Sequence, residues 1–397
     1  MKCALHWATV GGTEEPVQVP SPCALGARTG ANPARPDFMG RAGVTMGEAM
    51  KKIAWMALAT LMLAGCPGEK PANQAVESPA APEADKAPKE KPAADADKKA
   101  PAQAKEVKLQ ELTLLTATKD GNYHSAGVEF AAAARKGDFD IKVQISPGSF
   151  HNVQSLGDGT ADLAMAQYDT IMLFQNQGAE GQKVVARSKV FGAVSTELIH
   201  ILVRKGAGIA SLADLKGKKV GVGPKYSGSW ISAWAVMHYL QKVDVEKDPG
   251  FQKGSHAEQL KALTDGTLDA IFITTAPGMP LLKKMDPASA EKISLLSLPE
   301  GFALKAPMDA IYSVQAIPPK TYPFQADGST TALATSSYLL ARADLSEDQI
   351  AALAKTVYAD NSGLRSDFWL EMSTDAAEVE ASSVPYHAGV RKHLSIK

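Results

Sequence analysis

From Val107 onward, stretches that run apolar or alternate trade places with stretches whose apolar residues recur every three or four positions. KLQELTLLTAT, starting at Lys108, is rich in Leu and Thr and predicts a strand. The polar turn KDGNYHS (119–125) follows, and then an Ala-rich helix around Val128–Arg135. DIKVQIS predicts a second strand, and PGSFHN opens a short helix that carries Val153 and Leu156. ADLAMAQ, from Ala161, is a third strand. Further on, Ser211 begins an S-x-x-D capping pattern, Val220–Val222 is a short strand, and a helix starts near Ser229. Trp230, Trp234 and Met237 fall at helical spacing and read as a core stripe. Ser255 offers an S-x-x-E helix start, and LSEDQIAALAKTVY places Ile350, Leu353, Ala354 and Val357 on one helical face.

Alternating strands and helices predict an α/β protein with mostly parallel sheets. One phrase occurs twice, as DGTADLAMAQYDT from Asp158 and DGTLDAIFITTAP from Asp265. Each copy follows a predicted helix and leads into a strand. The order strand, Gly/Ser/Tyr turn, helix is also duplicated, in TATKDGNYHS and VGVGPKYSGS. Two matched units predict two lobes of similar build. The first lobe is expected over 107–201, the second over 202–320, and residues 321–397 return to the first with C-terminal helices. Asp162 and Asp269 look like a carboxylate pair, but an Asp in a turn before a strand is expected to bond backbone N–H groups. Five residues beyond each of them lie Gln167 and Thr274, at strand ends predicted to face one cleft from opposite sides.

Composition changes this picture mainly at the N-terminus. The 397 residues carry a formal net charge of −1, so no basic field suggests nucleic acid as a partner. MKKIAWMALATLMLAGC (50–66) has a positive start, an apolar run over Ile53–Leu63, and a small-residue ending at Cys66. That run is too short to span a bilayer, which takes ~20 apolar residues, and its layout is that of a secretory signal peptide over 50–65. The Leu-Ala-Gly-Cys ending resembles a bacterial lipobox, which implies lipid on Cys66 and a membrane anchor. Residues 1–49 then read as a mis-assigned start or a disordered leader. Residues 66–106, rich in Ala, Pro, Lys and Glu, read as a disordered tether. The three cysteines are Cys3, Cys23 and Cys66, so the globular region has no thiol for a disulfide, a metal or a nucleophile.

Three turns share a design suited to a ligand. Gly121–Ser125, Gly148–Asn152 and Tyr226–Ser229 each follow a strand, hold Gly with hydroxyl or amide side chains, and enter a helix. Helix starts at the carboxyl ends of parallel strands favour anions. No G-x-S-x-G, H-E-x-x-H or P-loop pattern occurs, and the eight His show no metal-ligand spacing, so no catalytic residue, metal or cofactor is expected.

From Leu112 to about Ala359 the sequence resembles the TAXI class of TRAP-transporter solute-binding proteins. The resemblance rests on Gly121-Asn122-Tyr123-His124-Ser125, Gly148-Ser149-Phe150-His151-Asn152, Gly159–Leu163, Gln167-Tyr168-Asp169, DLKGKKVGVG from Asp214, DGTLDAIF from Asp265, Tyr226-Ser227-Gly228-Ser229 and IPPKTYPFQ from Ile317. It implies a two-lobed periplasmic binding protein, monomeric, with a ligand cleft between hinged lobes. The expected solute is a small organic acid or amino acid, handed to TRAP membrane subunits. Ligand contacts implied by position are Asn122, Tyr123, His124, Ser149, Asn152 and Gln167 from lobe one. Tyr226, Ser227, Gly228 and Ser229 are implied from lobe two, with Thr274 added from the repeat. The chain departs from the family's pattern at Lys119, Asp120, His124, Ser125 and Tyr226. Lys119, His124, His151 and Lys225 would suit extra ligand carboxylates or a phosphonate, or simply line the rim. Alternative readings are the binding protein of an ABC importer and an orphan periplasmic sensor or scaffold.

Overall fold

Strand-forming Leu, Val and Ile runs gather into one ten-stranded sheet, and the order of its strands makes two halves. The structure is a computed structural model that describes residues 109–360, 362–380 and 382–396. The leader, the signal peptide, Cys66 and the tether lie outside the described residues. Chain order in the first half is β1 (Gln110–Leu115), α1 (Asn122–Ala134), β2 (Phe139–Gln144), α2 (Ser149–Asp158), β3 (Leu163–Gln167), α3 (Tyr168–Asn176) and α4 (Ala179–Ala186). A 17-residue strand, β4 (Ser188–Arg204), leads to the second half: β5 (Val220–Gly221), α5 (Gly228–Ala235), β6 (Phe251–Gln252), α6 (His256–Asp265), β7 (Ala270–Thr275), β8 (Ile293–Leu295) and β9 (Ser313–Ile317). β10 (Thr330–Arg342) runs back, followed by α7 (Glu347–Val357) and α8 (Ala388–His393).

The sheet order β2-β1-β3-β10-β4-β7-β5-β6 explains both halves. β2, β1 and β3 are parallel to one another, as are β7, β5 and β6. Between these groups β4 and β10 pair with each other, and with β3 and β7, in antiparallel fashion. The expectation of mostly parallel sheets is therefore corrected to a mixed sheet. The sequence reading assigned no strand to β4 or β10, and these two carry the antiparallel ladders. Each belongs to both halves. β4 pairs with β10 over Ser188–Leu198 and with β7 over Leu198–Val203.

The duplicated phrase builds matched corners. Gly159 and Gly266 end α2 and α6 at φ 75° and 82°, a left-handed turn that glycine takes without a Cβ penalty. Asp162 accepts from the Thr113 amide at 2.9 Å and pairs with Arg342 at 3.1 Å. Asp269 accepts from the Lys219 amide at 3.1 Å and pairs with Arg204 at 2.6 Å. Arg342 ends β10 and Arg204 ends β4, so each long strand is tied at its last residue to one copy of the phrase. Both Asp thus hold backbone N–H groups and serve as anchors.

The first helix differs from its expected span. It starts at Asn122, so the polar stretch read as a turn is its opening turn. Tyr123, Ala126 and Phe130 lie on its buried face, and only the first of these falls in that stretch. The capping patterns at Ser211 and Ser255 both form capping boxes. Trp230, Trp234 and Met237 are buried in the main core, as are Ile350, Leu353, Ala354 and Val357.

In the second half β4 carries a fully buried histidine. His200 Nδ1 donates to the Leu198 carbonyl at 2.8 Å, and Tyr322 OH bonds Nε2 at 2.9 Å while accepting from the Gly278 amide. Burial pushes this imidazole down to about 4, against an ordinary 6.5. The folded chain therefore binds fewer protons here than the unfolded chain. The contribution is fully present above pH 6.5 and is lost as pH falls toward 4. A His200→Gln variant should be less stable than wild type at pH 7. Its deficit should shrink by on the order of 3 kcal/mol by pH 4, measured by urea unfolding at stepped pH.

Candidate functional site

A cavity lies where the two halves meet. The opening turns of α1, α2 and α5 border it through Asn122 and Tyr123, Ser149, and Gly228 and Ser229. Strand ends supply Gln167 from β3 and Thr274 and Thr275 from β7. Two serines repeat one device across it. Ser149 Oγ accepts from the Gln167 amide at 3.2 Å, and Ser229 Oγ accepts from the Thr274 amide at 2.9 Å. Each ties the start of a helix to the end of the strand beside it, and with α1 three helix N-termini border one space.

That space is small. Its volume is about 50 Å³, room for roughly three or four waters. The halves touch directly around it. Asn122 Nδ2 donates to Thr275 Oγ1 at 3.3 Å and to the Ala276 carbonyl at 3.1 Å. The His151 amide donates to the Tyr226 carbonyl at 3.2 Å, and Phe150 stacks on Tyr226 with ring centroids 5.4 Å apart. Behind the cavity Asp169, fully buried in α3, accepts from Ser232 at 2.6 Å and from Tyr312 at 2.8 Å. The two halves are thus in direct contact around the cavity.

Gly148 sits at the contact with φ 129° and ψ −154°, a region open to glycine alone. A Cβ there would lie 3.2 Å from Ser227 Cα in the other half. Gly148→Ala should cost about 2 kcal/mol in backbone strain and press on the Ser227 backbone. Urea unfolding should report the loss, and an unchanged midpoint would count against it.

The cavity's charges are unusual for an anion site. No Lys or Arg lines it; Lys119 and Lys225 are exposed, and the Lys225 Nζ lies over the Tyr226 ring. Its one acid is Glu197, 2% exposed, at the point where β4 passes from one half to the other. Gln167 Nε2 donates to Glu197 Oε2 at 2.5 Å. Burial pushes the Glu197 carboxyl up to about 8, and the nearby Asp169 adds to the rise, while the polar side chains of Gln167, Tyr123 and Ser337 oppose it. Burial, with the Glu197 charge beside it, also raises Tyr123 well above the phenol range. Burial of the His256 ring pushes it down to about 4, so it is neutral; its Nε2 meets Ser229 Oγ at 3.1 Å. Four buried polar atoms on the lining lack a hydrogen bond of good geometry: Tyr123 OH, Gln167 Oε1, Thr274 Oγ1 and His256 Nδ1. Buried polar groups are rarely left so, and each such atom is costly without a partner.

Of the residues expected at the site, Asn122, Tyr123, Ser149, Gln167, Ser227, Gly228, Ser229 and Thr274 line this cavity. Three do not. Asn152 is fully buried behind it, with its amide spent on backbone carbonyls. Tyr226 packs on Phe150 and Trp230 and bonds through its carbonyl. His124, in the first turn of α1, is outside the lining. Glu197, His256 and Thr275 were missed. A lone Glu inside the apolar run STELIHILV was the available signal for Glu197; His256 had none.

A larger groove of about 500 Å³ runs past Lys205, Glu291, Leu295 and Phe324. None of the buried unpartnered atoms belongs to it, so the smaller cavity is the better candidate. Among the described residues no group of three His, Cys, Asp or Glu is placed to hold a metal ion. Nor is any helix there long and apolar enough to cross a membrane.

Comparison with known proteins adds a family. The NMT1-like family model matches residues 114–395, and the chain belongs to that family. Among solved structures it is similar to a binding-protein component of an ABC phosphonate transporter from Pseudomonas aeruginosa. That pair shares 15% identity at a TM-score of 0.47, over 72% of this chain and 94% of the other. It is similar to MatC of Rhodopseudomonas palustris with bound malate, at 16% identity and TM-score 0.40 over 65% and 87% of the two chains. A histidine kinase sensor domain described as similar to periplasmic binding proteins matches at 13% identity and TM-score 0.40, over 63% and 90%.

Proposed function

We propose that this member of the NMT1-like family is an extracytoplasmic solute-binding lipoprotein that captures a small anionic organic solute, of amino acid or dicarboxylate type, for a TRAP-type transporter. One observation carries the reading. Three helix N-termini and four unpartnered buried polar atoms converge on a cavity at the junction of two hinged halves. Such a site suits capture: Ser229, whose Oγ meets His256 Nε2, also accepts from the Thr274 amide and so holds the strand end in place. β4 supports a lobe boundary close to residue 201, because its pairing passes from β10 to β7 at Leu198. Closure around the solute shifts an open/closed equilibrium through bending of these strands. The TAXI motifs support delivery to TRAP subunits, and the lipobox supports a periplasmic protein anchored by Cys66.

Native mass spectrometry of the purified protein, followed by thermal-shift screening of amino acids and dicarboxylates, tests the reading. A retained or stabilising solute is expected, with affinity cut by about 100-fold in Ser149→Ala combined with Gln167→Ala. Binding that survives the double substitution would show that the site lies elsewhere. Deletion should abolish uptake of that solute; intact uptake would favour an orphan sensor. For the anchor, Cys66→Ser is expected to abolish palmitate incorporation in labelled cells, and persistent label would rule the anchor out.

A further inference from the structure

We propose that Glu197 is the specificity-determining residue of the cleft: it receives a hydrogen-bond-donating nitrogen of the solute, so the cleft takes solutes bearing an ammonium or N–H group beside their anionic group and refuses dicarboxylates. This inference rests on the reading that the cavity is the solute site.

The polar inventory of the cavity carries the argument. Its donors include the first backbone N–H groups of α1, α2 and α5, and these suit an anionic group. Glu197 and Gln167 lie side by side on the lining, both 2% exposed. The Gln167 amide is oriented with Nε2 donating to Glu197 Oε2. That orientation leaves Gln167 Oε1 buried with no donor. One unserved acceptor beside a carboxyl that can give up its proton calls for a donor from the solute.

A second carboxylate would meet the opposite of what it needs. No Lys or Arg lines the cavity, and the ionisable groups nearest Glu197 are Tyr123 and Asp169, neither of which is a cation. His256, the remaining ionisable side chain on the lining, is held neutral by burial. An ammonium would instead complete an ion pair with Glu197 and drive its ionisation. Capture then releases a proton, and affinity for such a solute rises with pH as the carboxyl becomes easier to ionise. A dicarboxylate would require Glu197 to keep its proton, and its affinity would fall with pH. The two solute classes are thereby separated by the sign of one slope.

The test is calorimetric titration of the purified protein, wild type and Glu197→Gln, with solutes that differ only at nitrogen. L-alanine is set against pyruvate and propionate, and glutarate serves as the dicarboxylate. Native mass spectrometry of the protein as isolated names any retained solute. The amino member is expected to bind wild type about 100-fold more tightly than its oxo or unsubstituted partner. That preference should fall to within a few-fold in Glu197→Gln, and amino-member affinity should climb between pH 6 and 8. A wild-type preference for the oxo acid or dicarboxylate overturns the inference. So does a nitrogen preference that persists in Glu197→Gln, or a retained solute without a donor nitrogen. Each of those results leaves the cleft reading standing. Binding that survives Ser149→Ala with Thr274→Ala, or no binding by any probe and no retained solute, defeats the cleft reading and this inference with it.

Discussion

Replacing Asn152 by Ala should destabilise the folded chain by about 4 kcal/mol while leaving solute affinity of the folded protein within a few-fold of wild type. Asn152 is fully buried on α2. Its Nδ2 donates to the Thr116 carbonyl at 2.6 Å and the Met165 carbonyl at 2.7 Å, and its Oδ1 accepts from Ser146 Oγ at 2.7 Å. One side chain therefore ties together the end of β1, the middle of β3 and the start of α2. Its loss strands buried acceptors, each worth about 1–3 kcal/mol of desolvation, and opens a small cavity. Urea unfolding reads the stability, and titration at low temperature reads the affinity. A ligand-contacting Asn would give the reverse pattern, with affinity lost and the unfolding midpoint nearly unchanged.

Glu197→Gln should act in the other direction, making the protein more stable. The sign follows from protons bound. The carboxyl titrates near 8 in the folded chain and near 4.5 unfolded, so the folded state binds more protons between those values. Stability from this group is fully present below pH 4.5 and is lost as pH rises through about 8. Gln keeps the neutral shape and accepts the Gln167 donor at every pH. The variant should match wild type near pH 4.5 and exceed it by on the order of 3 kcal/mol at pH 8, roughly 6 °C in Tm. Asp169 and Tyr123 face the same carboxyl, and Asp169 is itself raised by burial, so part of the slope remains in the variant. A variant less stable than wild type at pH 8 would mean that Glu197 is ionised and paired in the ligand-free protein. This stability gain is distinct from the solute preference, because it is read without solute.

Most elements of the parallel regions were legible because their signals are local. Ser255 and Glu258 form a capping box from four consecutive residues, and α7 shows its buried face at helical spacing. The duplicated Asp-Gly-Thr turns announced two similar units, and the matched arginine anchors at Arg204 and Arg342 extend that correspondence. β4 and β10 were not legible. Both lie in the middle of the sheet with most positions buried and none exposed, so neither shows the alternation that marks a half-exposed strand.

Site residues divided along the same line. Ser149, Gln167, Ser229 and Thr274 sit at helix starts and strand ends, positions that turn chemistry and the repeat mark in the chain. Asn152 carries the same kind of side chain in the same turn, yet α2 rotates it inward to carbonyls 36 and 13 residues away. Glu197 reaches the cavity from a strand central to the sheet, and His256 from the start of α6.

The sequence by itself determined which local units form and that they form twice, since caps, turns and apolar spacing act over a few residues. Only the tertiary structure decided which polar side chains share one space, and that the acid among them stands without a cation. Burial and charge pairing depend on residues far apart in the chain, and here they are brought together by two long antiparallel strands.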